Sequence, residues 1–218
     1  MIDIDELEQL VKTRRSIRQW QEKDVPEEVL KKALEIAVNA PSGMNYQGWK
    51  FIVVKNKEKI EEIADSVKNR IRMFAQWPEA AKYIDDPEKM VENAGFFKKA
   101  PVLIAVYSQI YPSGRDGVYL ERMSHDEEAK KMKSWLDLAN PRIQSAASAI
   151  AYLLLGLHAQ GLGSVWMTGP MQAKGDIEHI LGEFEGYDLV ALIATGYPAE
   201  TPKEKKMRPF DELVQFVE

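Results

Sequence analysis

Residues 145–157 read SAASAIAYLLLGL, thirteen positions without a charge. A membrane-spanning helix needs roughly twenty apolar residues. Here Arg142 and Gln144 precede the run, and His158 and Gln160 follow it. The stretch therefore reads as a helix over Pro141–Gln160, closed by Gly161 and buried on nearly all sides. In a chain of 218 residues, such a helix asks for a partner surface as well as its own core.

To either side lie four short apolar runs with the composition of strands: WKFIVVK at 49–55, PVLIAVY at 101–107, SVWMT at 164–168 and LVALIAT at 189–195. Helical spacing marks Glu6–Lys12, with Leu7, Leu10 and Val11 on one face. A second helix follows Asp24-Val25-Pro26-Glu27-Glu28, where proline and acids suit a first turn, and stops at Asn39-Ala40-Pro41-Ser42-Gly43. Lys57–Lys68 reads as a solvated amphipathic helix and Asp176–Leu181 as a short one. Helices and strands mix without strict βαβ alternation, so the expected fold is α+β, one layered domain over residues 1–218. Regions 70–99 and 108–135 are the least regular. Either could form a lid, or could be core packing followed by a solvated helix. The segment 201–218 is polar and basic up to Arg208, then turns apolar (FDELVQFVE), the pattern of a tail that docks on its own body or on a partner chain.

Lys and Arg number 29 against 34 Asp and Glu, a net charge of −5. That mild acidity argues against a nucleic-acid binder working by broad phosphate neutralisation, but leaves room for a local basic pocket. The absence of cysteine removes disulfides, thiol catalysis and cysteine-ligated metal. His125, His158 and His179 are widely spaced, which disfavours a histidine metal site and leaves each as structural or solvated. The N-terminus MIDIDELEQL has no apolar signal core. The expectation is a cytoplasmic protein with neither metal nor membrane.

Three segments concentrate unusual polar groups. Arg14-Arg15-Ser16-Ile17-Arg18 gathers guanidiniums that repel one another unless an anion is near, and their planar forks suit phosphate or carbonyl recognition. The alternative is a surface cluster paired with acids such as Glu22 or Asp24. Pro41-Ser42-Gly43-Met44-Asn45-Tyr46-Gln47-Gly48-Trp49 places hydroxyl and amide groups that match a planar heterocycle. A helix stop and turn explains its first residues, but not Asn45 and Gln47. In Gly161-Leu162-Gly163-Ser164-Val165-Trp166-Met167-Thr168-Gly169-Pro170, glycines allow close backbone approach to a flat ligand. They follow a helix, so this is not a dinucleotide fingerprint.

In order and spacing, these segments, with Gly196-Tyr197-Pro198 and the basic tail Lys203–Arg208, resemble the FMN-dependent nitroreductase family over nearly the whole chain. The resemblance implies a central, mainly antiparallel sheet flanked by helices, and an intertwined homodimer whose two FMN sites are each built from both chains. It implies that Arg14, Arg15, Ser16 and Arg18 contact the ribityl phosphate and the flavin pyrimidine edge. Pro41, Ser42, Gly43, Asn45 and Gln47 match a loop that faces the flavin across the dimer interface. Met167, Thr168 and Gly169 match the segment whose backbone N–H points at flavin N5, and Lys206 and Arg208 the tail positions that grip the phosphate. The implied activity is reduction of nitroaromatic, quinone or related small organic acceptors by NADH or NADPH, with ping-pong kinetics and no protein side chain as the catalytic group. A reductive dehalogenase, a flavin-destroying synthase or a non-enzymatic flavin binder shares the same pattern. Two departures stand out: Gly48 where the family usually has proline, and Tyr152 where it usually has asparagine.

Overall fold

The computed structural model describes residues 3–109 and 114–217. Four strands, β1 (Trp49–Val54), β2 (Val102–Gln109), β3 (Gly163–Met167) and β4 (Tyr187–Gly196), form one sheet. Their order is β1-β2-β4-β3, and every neighbouring pair is antiparallel. Each apolar run noted in the sequence falls on one of them. β2 and β4 are interior to the sheet, and β2 is buried from Val102 to Ser108.

Alternation along β2 explains why it has no polar face. Leu103, Ala105 and Tyr107 point to one side of the sheet, into a core with Ile60, Ile63 and Val67 of α3 (Lys57–Ala75). Val102, Ile104 and Val106 point to the other, against Leu30 and Ala33 of α2 (Glu27–Ala37) and Ile150, Leu153 and Leu157 of α7 (Pro141–Ala159). The charge-free run is thus the inner wall of one helical layer. α3 runs seven residues past the expected Lys68 and is a core wall, with only its outer face solvated.

α1 (Ile4–Thr13) packs on α7, and α4 (Pro87–Ala94) packs on α3. The region 108–135 holds α5 (Gly114–Arg122) and most of α6 (Glu127–Ala139); the part of this candidate lid at residues 110–113, with Tyr111 and Pro112, lies outside the described residues. Asn140 joins α6 to α7 directly: its φ of 38° ends the first, and its side chain accepts from Ile143 N at 3.3 Å to start the second. α8 (Lys174–Leu181) follows β3. The tail beyond β4 ends in the single turn α9 (Phe210–Leu213), with Phe216 and Val217 exposed. Among the described residues, no helix is long and apolar enough to cross a membrane.

Candidate active site

The arginine segment leaves α1 and lies along β3. Ser16 forms a parallel bridge with Ser164, and Ile17 N donates to Ser164 O at 3.1 Å. The buried Trp20 anchors the far end, its Nε1 donating to Gly163 O at 2.9 Å. Gly163 makes this possible: a Cβ there would stand 2.6 Å from Ile17 Cγ1. The sequence suggested that these glycines admit a flat ligand; at Gly163 the close approach is by Ile17 instead, because the arginine segment packs directly on the strand. The Glu200 carboxylate accepts from the backbone N–H groups of Arg18 and Gln19, fixing the segment from the other side.

Two cavities open along this seam. The smaller, about 200 Å³, is walled by Thr13, Arg14, Arg15, His158, Ser164 and Glu200. The larger, about 660 Å³, is walled by Arg18, Asn93, Phe96, Met167, Thr168 and Gly169. From Ser164 to Thr168 the chain advances about 13 Å at roughly 3.3 Å per residue, so the two cavities suit the two ends of an elongated ligand. Arg14, Arg15 and Arg18 make no ion pair among the described residues, and Asp24, one of the acids that could have neutralised them, pairs with Lys55 at 2.9 Å. The described residues therefore do not neutralise the cluster, and its guanidiniums remain available for an external partner. Met167 is mostly core, packed behind the cavity with Val165, while Thr168 and Gly169 are exposed at its mouth. Gly169 opens a 3-10 turn, so its N–H is not used within that turn.

Nothing in the sequence around Asn93 marks it as a site residue. It shares a face of α4 with Met90, three residues earlier, and the only signal available was an amide on an otherwise apolar helical face. The sequence reads His158 as structural or solvated. It borders the smaller cavity, where burial and then Arg14 hold its imidazole below the usual histidine range.

The second polar loop lies elsewhere. Ser148 Oγ donates to Pro41 O at 2.7 Å, and Gly43 N donates to Ser145 Oγ at 3.3 Å, so the loop sits on the first turns of α7. Ser42 is used internally, its Oγ accepting from Gln47 N at 3.0 Å. Gln47 Nε2 turns back to Asn45 O at 3.4 Å. Met44, Asn45 and Gln47 all have φ between 52° and 54°, a left-handed cluster that is uncommon outside glycine. Gly48 accommodates the neighbouring ring: a Cβ at residue 48 would stand 2.8 Å from Tyr46 Cδ1.

From Ser145 to His158, α7 rises about 20 Å at 1.5 Å per residue. One chain therefore holds the arginine segment at one end of α7 and the 41–47 loop at the other, and does not bring them together. Nor does it bring Lys206 and Arg208 to either cavity: Arg208 NH2 lies 3.2 Å from Glu212, four residues on, and Lys206 is exposed on the extended tail.

An antiparallel four-stranded sheet between helical layers, with unpaired arginines beside an edge strand, defines an α+β protein with a cationic seam along that edge. Residues 11–197 match the Nitroreductase family, and the chain belongs to that family. It is 31% identical to a BluB-like flavoprotein from Clostridium difficile 630, with a TM-score of 0.82 over 97% of this chain and 99% of that one. It is 25% identical over 205 residues to iodotyrosine deiodinase from Hydra vulgaris, covering 92% of this chain and 69% of that protein. A nitroreductase with bound FMN from Desulfitobacterium hafniense DCB-2 shares the fold, with a TM-score of 0.71 at 21% identity over the full length of both chains.

Proposed function

We propose that this protein is an FMN-dependent oxidoreductase that uses NADH or NADPH to reduce nitroaromatic, quinone or related small organic acceptors. The carrying observation is the set of unpaired guanidiniums, Arg14, Arg15 and Arg18, strung along β3 between the two cavities. These residues fit FMN. Arg14 and Arg15 at the smaller cavity suit a terminal phosphate, while Arg18, Asn93 and the open 168–169 backbone at the larger one suit a flat ring with carbonyl and N–H edges.

When bound, FMN supplies the electron transfer between nicotinamide and acceptor. Arg18 holds positive charge at the ring end of the site, where it stabilises added negative charge. Thr168 and Gly169 present backbone donors there. Phe96, Val67 and Ile71 line the same wall and limit water access. With the ring in the larger cavity, reductant and acceptor would use the space left beside it in turn, which gives ping-pong kinetics.

The functional unit in this reading is a homodimer with two sites. The two ends of α7 are too far apart to form one site within a chain, so the 41–47 loop of one copy completes the arginine end of the other. Asn140 joins α6 to the loop end of α7, so the 108–135 region is a candidate lid over the neighbouring copy's site, as is 70–99. Leu7 and Val11 of α1, Tyr152 of α7 and Phe210, Phe216 and Val217 of the tail are exposed, as an unassembled apolar interface would be. The tail embraces the second copy and delivers Lys206 and Arg208 to the phosphate end.

The test is the absorbance spectrum of the purified protein, followed by NADH and NADPH titration and a panel of nitroaromatic, quinone and halogenated phenolic acceptors. Flavin released by denaturation is compared with FMN and FAD standards. A colourless protein that cannot be reconstituted with FMN refutes the reading. Similarity to iodotyrosine deiodinase supports a second reading, reductive dehalogenation on the same site. Turnover of halogenated phenols in preference to nitroaromatics selects it.

A further inference from the structure

His158 stands in the last turn of α7 with its ring on the wall of the smaller cavity. Its Nε2 lies 2.9 Å from Thr13 Oγ1. The Thr13 hydroxyl has one proton, and that proton is engaged with Gln9 O at 2.7 Å. Oγ1 can therefore only accept from the ring, so Nε2 carries the hydrogen. Nδ1 is left with no protein partner among the described residues.

The charged groups around this cavity are Arg14 and Arg15 from the segment after α1, and Glu200 from beyond β4. Glu200 is already committed to the Arg18 and Gln19 backbone. On α1, Lys12 is paired with Glu8 at 2.5 Å. The strand side, β3, carries no charge. Two unneutralised guanidiniums thus line the same cavity as an imidazole with one free nitrogen. Without an anion, burial and then Arg14 disfavour a proton on that nitrogen; an anion between the guanidiniums would reverse the charge contribution.

We propose that His158 is a third ligand of the anion held by Arg14 and Arg15, taking up one proton at Nδ1 from solvent as the anion binds and donating it in a charge-assisted hydrogen bond. This rests on the reading of the smaller cavity as the FMN phosphate site. It goes beyond that reading in giving the site a proton-linked member outside the arginine segment and the tail. Affinity for the anion then falls as pH rises between the imidazole pKa of the free protein and the higher one of the complex. The phosphate titrates near pH 6 on its own account, so the difference between wild type and variant, and not the raw profile, reports His158.

The imidazole resonances of His125, His158 and His179 are titrated by NMR in the free protein, with FMN, with riboflavin and with inorganic phosphate, His158→Gln providing the assignment. FMN and phosphate are expected to raise the His158 pKa by about one unit, equivalent to a ten-fold gain in affinity for the protonated form. Riboflavin, lacking the anion, should leave it in place. In parallel, His158→Gln should weaken FMN several-fold more at pH 6 than at pH 8 while leaving riboflavin affinity unchanged; Thr13→Val, which keeps the imidazole, should retain the pH-linked shift. A His158 pKa that does not move with either FMN or phosphate overturns the proposal, as does equal weakening of riboflavin and FMN in the variant. A shift with phosphate in a protein that binds no FMN sustains the anion ligand and refutes the flavin reading.

Discussion

The side chain of Ile17 fills the space that a Cβ at Gly163 would require, with Cγ1 2.6 Å and Cγ2 2.9 Å from that position. This contact seats the arginine segment on β3, and it joins the core to the site. Gly163→Ala should force Ile17 and its neighbours outward. Overpacking of this kind costs about 1–3 kcal/mol. Denaturant unfolding should record that loss, and FMN affinity should fall with it, since Arg14 and Arg18 move with Ile17. Unchanged stability and flavin affinity would mean that the segment is not held by this contact.

Replacing Arg14, Arg18 or Arg208 with Ala should each remove a charge-assisted contact of about 1.5–3 kcal/mol. At roughly 1.4 kcal/mol per decade, FMN binds about ten- to a hundred-fold more weakly. Lysine at Arg14 or Arg18 should restore charge but not a bidentate contact. An arginine that merely sits in solvent is worth roughly 0–1 kcal/mol, so its loss would leave affinity near that of a Lys57→Ala control. Fluorescence titration of the variants decides between these. Arg208 carries a further condition: it must leave Glu212 to reach the phosphate, so Glu212→Ala should not weaken FMN.

Gly48 has a partner in Tyr46. A Cβ at 48 would meet the Tyr46 ring at 2.8 and 2.9 Å. Gly48→Ala should destabilise the protein by about 1–2 kcal/mol through overpacking. The double variant with Tyr46→Ala removes the clash. A double-mutant cycle should therefore show coupling of about 0.5 kcal/mol or more, whereas additive losses would separate the two residues.

Away from the site, Asp188 joins β4 to α7 and α8. Arg142 NH1 lies 2.7 Å from one carboxylate oxygen and Lys174 Nζ 2.9 Å from the other. The hydrogen bond from Lys174, ahead of that from Arg142, holds the Asp188 carboxyl below the usual carboxylate range. A depressed folded value means that the contribution is complete above about pH 4, the ordinary Asp value, and is lost as pH falls through the folded value. Asp188→Asn should cost about 1–2 kcal/mol at pH 7, allowing for partial exposure of all three side chains. The gap between wild type and variant, measured by urea unfolding, should narrow at pH 3.

The strands were legible because β2 and β4 are interior to the sheet, and burial on both faces demands unbroken apolar runs such as VLIAVY and LVALIAT. α7 was legible for a similar reason. α4 to α6 were not: their faces carry charges, and on α5 and α6 exposed apolar side chains such as Val118, Leu120 and Trp135, so no clear stripe marks them. The arginine segment announced itself by local charge density. Asn93 and His158 did not, since nothing near them in sequence shows that α4 and the end of α7 reach the same seam. Nor does the sequence show that Gly163 serves Ile17, a contact between residues 146 positions apart.

A hybrid dimer tests most directly whether each FMN is held by two chains. One copy carries Arg14→Ala with Arg18→Ala, the other Asn45→Ala with Gln47→Ala, each with a different affinity tag. If every site takes its arginines from one chain and its loop from the other, both parent homodimers bind FMN weakly, while the purified hybrid regains one tight site, because the intact arginines of the second copy meet the intact loop of the first. Equilibrium titration should then return one tightly bound FMN per hybrid dimer. A hybrid in which neither site is restored, or a loop-variant homodimer that binds as tightly as wild type, would contradict the shared site.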